Sequence, residues 1–247
     1  MMESCLRKLW TQCFRYNWKL GVFLILLFGI PRFIIVLESY VSRSYGLVMI
    51  VFVCMWFAPF IFLTKHGRKG IGMKRPSQWW KPVVSFIFGG LSCFLIFGLL
   101  YFLYDTSIEN AFVYIGGNNP TSGITGEDKL IYFWIAAIPS MIFSPIGEEF
   151  LYRGVIHGSF VSEFGETKAS VFDSLAFALT HIAHFGIIYT FGVWKFLPIP
   201  AVLWVVSMFF VSQVFFKCKL FSNSIWGAVA AHSGFNFVMM YCIFYLL

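Results

Sequence analysis

The chain has 247 residues, of which 59% are hydrophobic, 21% aromatic and only 12% charged. Soluble domains carry roughly 25% charged residues, so this composition excludes an ordinary soluble domain and indicates a helical protein embedded in a membrane. The net charge of +7 does not indicate a nucleic-acid-binding protein, because most basic residues lie beside hydrophobic segments and no nucleic-acid motif accompanies them.

The first two hydrophobic segments, at about residues 20–36 and 45–64, each predict a membrane span. Arg32 lies near the far end of the first segment, and we expect its long side chain to reach the membrane interface. No small-residue cleavage site follows the basic start of the chain. The first segment is therefore expected to be a retained span rather than a removed signal peptide.

The distribution of charge between the loops predicts the orientation of the chain. Most basic side chains lie before the first segment or in the loop at residues 65–82, which contains paired tryptophans suited to the headgroup level. The loop after a third segment, residues 83–104, is acidic, and its one basic residue is Lys129 at the edge of the next span. Because positive loops stay in the cytoplasm, we expect a multi-pass protein of the cell membrane with a cytoplasmic N-terminus. The basic loops also suit contact with anionic lipids of the bilayer.

The second half of the chain holds further hydrophobic regions. The region at residues 130–164 is too long for one simple span, and Pro145 is expected to kink or break it. Further spans are predicted at about residues 169–189, 197–216 and 222–247. Seven crossings fit the charge pattern, and eight stay open.

These segments predict the fold class. We expect an all-α, polytopic membrane protein: a helical bundle of seven or eight transmembrane helices. No internal repeat or linker is visible, so residues 1–247 are expected to form a single membrane domain, with N-terminal spans and loops at 1–129 and the functional core at 130–247. The six cysteines are scattered without CxxC spacing, which indicates free thiols.

Ionisable residues inside the predicted spans are functional candidates, because each costs at least about 2.5 kcal/mol at the centre of a membrane helix. Those without a route to the interface are Glu148, Glu149, Arg153, His181, His184 and His232. Asp173 also lies in a predicted span, but near its cytoplasmic end, where we expect it to reach the interface.

Two neighbouring carboxylates are predicted to have different surroundings. Glu149 and Arg153 are four residues apart in SPIGEEFLYRG, so they lie about 40° apart on a helix and can form an ion pair. Glu148 lies about 140° from Arg153 and is left to face a cavity, where it can act as a general base. The alternative is a buried ion-pair cluster that only fixes helix packing.

Histidines follow in the next regions. His181 and His184 lie one turn apart in FALTHIAH, and either can face the same cavity as Glu148. In WGAVAAHSGFNF, His232 and Asn236 lie four residues apart on one helix face, and both can donate hydrogen bonds to a developing oxyanion. The small residues around them permit close approach of a neighbouring helix.

Together these residues carry the motifs EExxxR, FxxxH and HxxxN, in that order and in three successive hydrophobic regions. The ordered set resembles the CAAX protease and bacteriocin-processing family, also called CPBP or Abi, which includes the Ras-converting CAAX endopeptidases. The resemblance covers about residues 130–247.

The resemblance implies a glutamic-type intramembrane endopeptidase that needs no cofactor. The implied catalytic residues are Glu148, Glu149, Arg153, His181, His232 and Asn236. Glu148 activates a water molecule with the assistance of His181, and His232 with Asn236 stabilises the tetrahedral intermediate. The remaining two residues hold the geometry of the site. The implied substrate is a peptide or protein at the membrane, with prenylated tails as one class.

Three alternatives stay open. Glutamate and histidine are also zinc ligands, so a zinc-dependent intramembrane metalloprotease is one, although no HExxH motif occurs. A transporter is the second, because membrane carboxylates and histidines relay protons, although no paired halves with interrupted helices are visible. The third is a non-catalytic membrane scaffold or immunity protein that keeps the motifs for packing. The sequence does not determine the oligomeric state.

Overall fold

The structure is a computed structural model that describes residues 5–118 and 126–247. Part of the predicted acidic loop therefore lies outside the described residues. The helices are α1 (Trp18–Ser42), α2 (Gly46–Phe62), α3 (Lys65–Gly70), α4 (Trp80–Tyr104), α5 (Ala111–Gly117), α6 (Lys129–Glu148), α7 (His157–Thr180), α8 (Pro198–Ser222) and α9 (Ile225–Tyr241). All six cysteines are free thiols.

Short irregular elements join or extend these helices. A π-helical segment, Glu149–Ile156, connects α6 directly to α7, and a second one, Cys242–Leu246, follows α9. A 3-10 turn, His181–Ala183, ends α7. Two antiparallel strands, β1 (Ile187–Thr190) and β2 (Val193–Phe196), form a hairpin before α8.

Five helical stretches of the described chain are long and apolar enough to cross a membrane. They are Trp18–Ser42, Trp80–Tyr104, Lys129–Ala183, Pro198–Ser222 and Ile225–Leu246. The prediction of an all-α, multi-pass membrane protein is confirmed, whereas the number of seven or eight crossings stays a prediction. Gly46–Phe62 is also apolar but shorter. Lys129–Ala183 has 55 residues, far more than the roughly 20 that cross a bilayer once.

The outer surface of the long helices is apolar, as a lipid-facing surface requires. Leu26 and Ile34 of α1, Phe102 of α4 and Phe210 of α8 all have more than half of their surface exposed. In water such a belt would be an aggregation hazard. In a bilayer it is the contact surface for the acyl chains.

Of the predicted kink or break at Pro145, the break does not occur, because helical structure continues through this residue from α6 into the π-helical segment. A proline lacks the N–H that would bond to the carbonyl four residues earlier, here the carbonyl of Met141. The hydroxyl of Ser233 on α9 donates to that carbonyl at 2.7 Å, so the bond lost to proline is replaced by a neighbouring helix. The chain leaves helical geometry later, at the exposed Gly165, whose φ of 72° suits glycine.

The span predicted to run to about residue 189 ends earlier, at Thr180. The chain then passes through the 3-10 turn to Gly186, which has a φ of 115°. A Cβ at Gly186 would lie 2.6 Å from the Cβ of Ala201 on α8. The close approach to α8 and the positive φ, which favours glycine, accompany the change from helix to hairpin.

Helices α4 and α9 pack with their backbones in close contact. A Cβ added to Gly89 would overlap the carbonyl oxygen of Ala231, and one added to Gly234 would overlap that of Phe86. Small residues allow helices to approach in a membrane. The small residues around His232 have this packing role, and they hold α9 in a fixed position beside α4.

Contacts between loops define the two ends of the bundle. At one end, the N–H of Thr64 donates to Cys5, and the N–H of Ser77 donates to Ser222, which joins the basic loop to the N-terminal segment and to the α8–α9 turn. At the other end, Tyr40 at the end of α1 donates to the carbonyl of His184. The predicted basic loops therefore share one end, and the middle of α1 lies between the two ends.

Candidate active site

Helices α1, α2, α6, α7, α8 and α9 enclose a pocket with a volume of about 460 Å³. Five of the candidate residues line it, namely Glu148, His181, His184, His232 and Asn236. Glu149 and Arg153 lie behind the pocket wall, where both are fully buried. Tyr45, between α1 and α2, also lines the pocket. Burial raises the pKa of Tyr45 to about 12, so its hydroxyl keeps its proton at neutral pH.

Glu148 does not face the pocket alone, because Arg32 of α1 forms an ion pair with its Oε1. The expectation that Arg32 reaches the membrane interface is wrong, since only 1% of its surface is exposed. The guanidinium also donates to Thr180 at 2.6 Å and lies 5.6 Å from the ring of Phe52. Arginine in the middle of a bundle is retained only with such partners.

Glu149 binds two cationic or hydrogen-bonding groups behind the pocket. Arg153 Nε lies 3.2 Å from Glu149 Oε2, and His232 Nδ1 lies 2.9 Å from Glu149 Oε1. The Arg153 guanidinium packs over the ring of Phe177 at 4.2 Å and donates to Ser212 at 2.5 Å. Glu149 thus connects the π-helical segment to α9, and its bond to Nδ1 orients the ring of His232.

The opposite nitrogen of His232 faces the pocket. His232 Nε2 lies 3.5 Å from both Glu148 Oε2 and Ser144 Oγ. The ring of Phe215 stacks on the imidazole, with 4.7 Å between centroids and 18° between planes. The imidazole is therefore held from two sides, by a carboxylate and by an aromatic face.

Both histidines of the 3-10 turn face Arg32. In a 3-10 helix, residues three apart lie above one another, and the rings of His181 and His184 have centroids 5.3 Å apart. Arg32 Nη2 lies 3.5 Å from His181 Nε2 and 3.2 Å from His184 Nε2. The sequence left open which histidine faces the site, and the structure places both on the pocket wall.

The amide of Asn236 contacts α6. Its Nδ2 donates to the carbonyl of Ser140 at 2.7 Å and lies 3.4 Å from Ser144 Oγ. Asn236 and His232 thus approach the same hydroxyl from one helix, as the spacing of four residues requires. Ser140 and Ser144 also line the pocket, and nothing in the motifs had indicated them.

A second polar cluster lies beside Arg153. Asp173 is fully buried, so its carboxylate contacts other side chains of the bundle, and its depth in the membrane stays a prediction. Its Oδ2 accepts from His157 Nδ1 at 2.7 Å, and its Oδ1 lies 4.0 Å from Arg153 Nε. His157 Nε2 in turn contacts the exposed Glu166 at 2.9 Å. Sequence reasoning missed His157, because it lies close to a polar stretch of the chain.

Arg32 is the important residue that sequence reasoning placed wrongly. A signal existed, because Arg32 follows Pro31 in the middle of a 25-residue apolar helix, too far from both ends for easy access to the interface. Its partners could not be read from the sequence.

The donor atoms at the pocket do not form a metal-binding set. In residues 5–118 and 126–247, no three side chains of His, Cys, Asp or Glu converge as ligands. The guanidinium of Arg32 lies among Glu148, His181 and His184. A cation held there would meet this fixed positive charge.

One comparison with known proteins found a match. A family model described as Type II CAAX prenyl endopeptidase Rce1-like matches residues 130–238, from α6 into α9. No curated protein and no solved structure matches the chain. The matched segment contains all six predicted catalytic residues and does not include α1.

Proposed function

Residues 130–238 form a domain of the Rce1-like type II CAAX prenyl endopeptidase family, a family of peptidases, and from this premise we propose that the pocket is the active site of an intramembrane endopeptidase. The observation that carries the proposal is the position of Glu148. Its carboxylate lines the pocket, and in the described part of the chain no donor hydrogen-bonds to its Oε2. A free lone pair beside an enclosed space is what a general base requires.

In the proposed reaction, Glu148 Oε2 accepts a proton from a water molecule, and the water oxygen attacks the carbonyl carbon of the scissile peptide bond. The tetrahedral intermediate then expels the amine, which takes the proton from Glu148. The products are a carboxylic acid and an amine, and Glu148 is again a carboxylate. His181, which lines the pocket beside Glu148, assists this step.

The oxyanion of the intermediate is proposed to lie near Ser144 Oγ. Both His232 Nε2 and Asn236 Nδ2 reach this hydroxyl, at 3.5 Å and 3.4 Å, so both can donate to a group placed there. His232 donates from Nε2 when it carries a proton on each nitrogen, because Nδ1 is bound to Glu149. Glu149 and Arg153 are positioning residues in this scheme.

The proposed orientation follows the positive-inside rule. Seven crossings result if α1, α2, α4, α8 and α9 each cross once and the 55-residue stretch crosses twice, with the reversal at Gly165. This arrangement places the N-terminus and the basic loops in the cytoplasm. The proposed substrates are peptides or proteins at the membrane, with prenylated C-terminal tails as the first class to test.

The substitution Glu148→Gln tests the mechanism. We expect kcat to fall about 10²–10⁴-fold, because the general base is lost, while the amide keeps the size of the side chain. The assay is cleavage of a prenylated peptide by the purified protein in lipid, with the same peptide lacking the prenyl group as a second substrate.

Glu163→Gln is the matched control, because Glu163 is an exposed glutamate outside the pocket. It should leave cleavage unchanged. A folded Glu148→Gln variant that cleaves at the normal rate would exclude Glu148 as the base and would support a scaffold role for the motifs.

A further inference from the structure

Arg32 is a cation deep inside the bundle, and it belongs to α1 rather than to the family-matched segment. It is one of the largest fully buried side chains of the described chain. Burying an arginine at this depth is costly, and a hydrophobic residue of similar size would pack there at less cost. The partners of its guanidinium are therefore informative about its role.

The ion pair between Arg32 and Glu148 uses one carboxylate oxygen and leaves the other free. Arg32 Nη2 faces Oε1, whereas Oε2 lies 3.5 Å from Nε2 of His232, another residue of the pocket wall. Thr180 holds the second terminal nitrogen of the guanidinium, Nη1, at 2.6 Å. Because the guanidinium is fixed at one nitrogen, its contact with Oε1 determines the direction in which Oε2 points.

Arg32 also faces the two histidines: Nη2 carries two N–H groups, one directed to Glu148 Oε1 and one left for a ring nitrogen. A guanidinium has donors and no acceptor, so a ring nitrogen that bonds to it must carry a lone pair. His181 Nδ1 donates to the carbonyl of Phe177 at 2.7 Å, which leaves Nε2 as the acceptor facing Arg32. His184 Nε2 is the nearer of the two ring nitrogens, at 3.2 Å from Arg32 Nη2, so it competes with His181 for the remaining N–H.

We infer that Arg32 is a positioning residue of the endopeptidase site: it holds Glu148 as an oriented carboxylate, and its positive charge faces the Nε2 atoms of His181 and His184. The inference rests on the proposed function. Its consequence is that the family-matched segment does not contain the complete site. Helix α1 supplies the cation that sets the geometry of the base.

The first test compares Arg32→Gln and Arg32→Lys with Arg43→Gln, which removes an exposed arginine at the end of the same helix. We expect Arg32→Gln to lower kcat about 100-fold, because the carboxylate of Glu148 is no longer held in its orientation. KM should change less than about twofold. Arg32→Lys should recover part of this loss, since it restores the charge without the planar fork. Arg43→Gln should have normal kinetics.

A folded Arg32→Gln variant with normal kcat would overturn the inference, as would an Arg32→Lys variant that is no more active than Arg32→Gln. A purely structural arginine would lower the folded fraction without this rescue of kcat.

A second test does not depend on activity. Arg32→Gln leaves the buried Glu148 without its cation, so the melting temperature in detergent should fall. Adding Glu148→Gln removes the unpaired charge, and the double variant should melt at a higher temperature than Arg32→Gln alone. The absence of this recovery would contradict the coupling of the two residues. The outcome is independent of catalysis, so it separates failure of this inference from failure of the proposed function.

Discussion

Two adjacent carboxylates have different neighbours in this fold. Glu148 lines the pocket and pairs with Arg32 of α1, whereas Glu149 points away from the pocket and contacts Arg153 and His232. The difference follows from the rotation of about 100° between successive helical residues. One carboxylate therefore lies at the pocket wall, and the other contacts a neighbouring helix.

The variant Glu149→Gln should impair both the fold and the activity. It leaves Arg153 without its carboxylate in a fully buried position and replaces the charged acceptor that orients His232 Nδ1 with a neutral amide. We expect a loss of about 3–5 kcal/mol in the free energy of unfolding and a lower kcat, measured by denaturation in detergent and by peptide cleavage. Normal stability would show that the ion pair is not coupled to folding.

At the scale of elements, α6 and α9 depend on each other. The carbonyl that Pro145 leaves without a helical partner accepts from Ser233 of α9, and the carbonyl of Ser140 accepts from Asn236. Bonds from α9 thus stabilise a proline-containing α6 close to the catalytic glutamate proposed above. The same bonds fix the position of His232 along α9 relative to the pocket.

This interdependence predicts the result of a double-mutant cycle. Ser233→Ala alone should cost about 1–3 kcal/mol of the free energy of unfolding, because the Met141 carbonyl is left buried and unsatisfied. In a Pro145→Ala background the restored N–H can bond to that carbonyl, so Ser233→Ala should cost less. Equal costs in both backgrounds, measured by thermal unfolding in detergent, would contradict this account.

The contact between α4 and α9 gives a prediction with an internal control. Gly89→Ala should lower the free energy of unfolding by about 1–3 kcal/mol, because its Cβ would overlap the backbone of Ala231. Gly98→Ala on the same helix meets open space and should be neutral or stabilising, since alanine is the better helix former. If both variants behave alike, the backbones of α4 and α9 are not in contact.

At the scale of the whole molecule, charge and apolar surface are separated. The long helices expose apolar side chains, and the basic N-terminal segment, basic loop and α8–α9 turn join at one end. Such a distribution orients a bundle in a membrane with its basic end in the cytoplasm. The proposed site lies between the two ends of the bundle.

Thiol labelling in intact cells tests this orientation. In a variant that keeps only Cys13, which is exposed near the N-terminus, a membrane-impermeant maleimide should react only after the cells are opened. In a cysteine-free background, Glu127→Cys should react in intact cells, because Glu127 lies in the loop predicted to be outside. The reverse pattern would invert the proposed topology.

Composition and local spacing alone were enough for part of this description. The low charge and the apolar segments indicate a multi-pass helical membrane protein, and spacings of four residues pair Glu149 with Arg153 and place His232 and Asn236 on one face. Each pair lies within one helical segment, Glu149 and Arg153 in the π-helical one and His232 and Asn236 in α9, where residues four apart are neighbours. The ordered motifs also indicated the family that matches residues 130–238.

The tertiary structure decided the contacts between helices. It brings Arg32 to Glu148, Asp173 to His157 and Ser233 to the carbonyl released by Pro145, and it places both His181 and His184 on the pocket. Each of these contacts joins different segments or depends on how a turn is wound, so periodicity along one helix carries no information about it. From hydropathy alone, a charged side chain in an apolar segment is assigned to the interface. A buried partner makes burial less costly than exposure to lipid, and such a partner is visible only in the packed bundle.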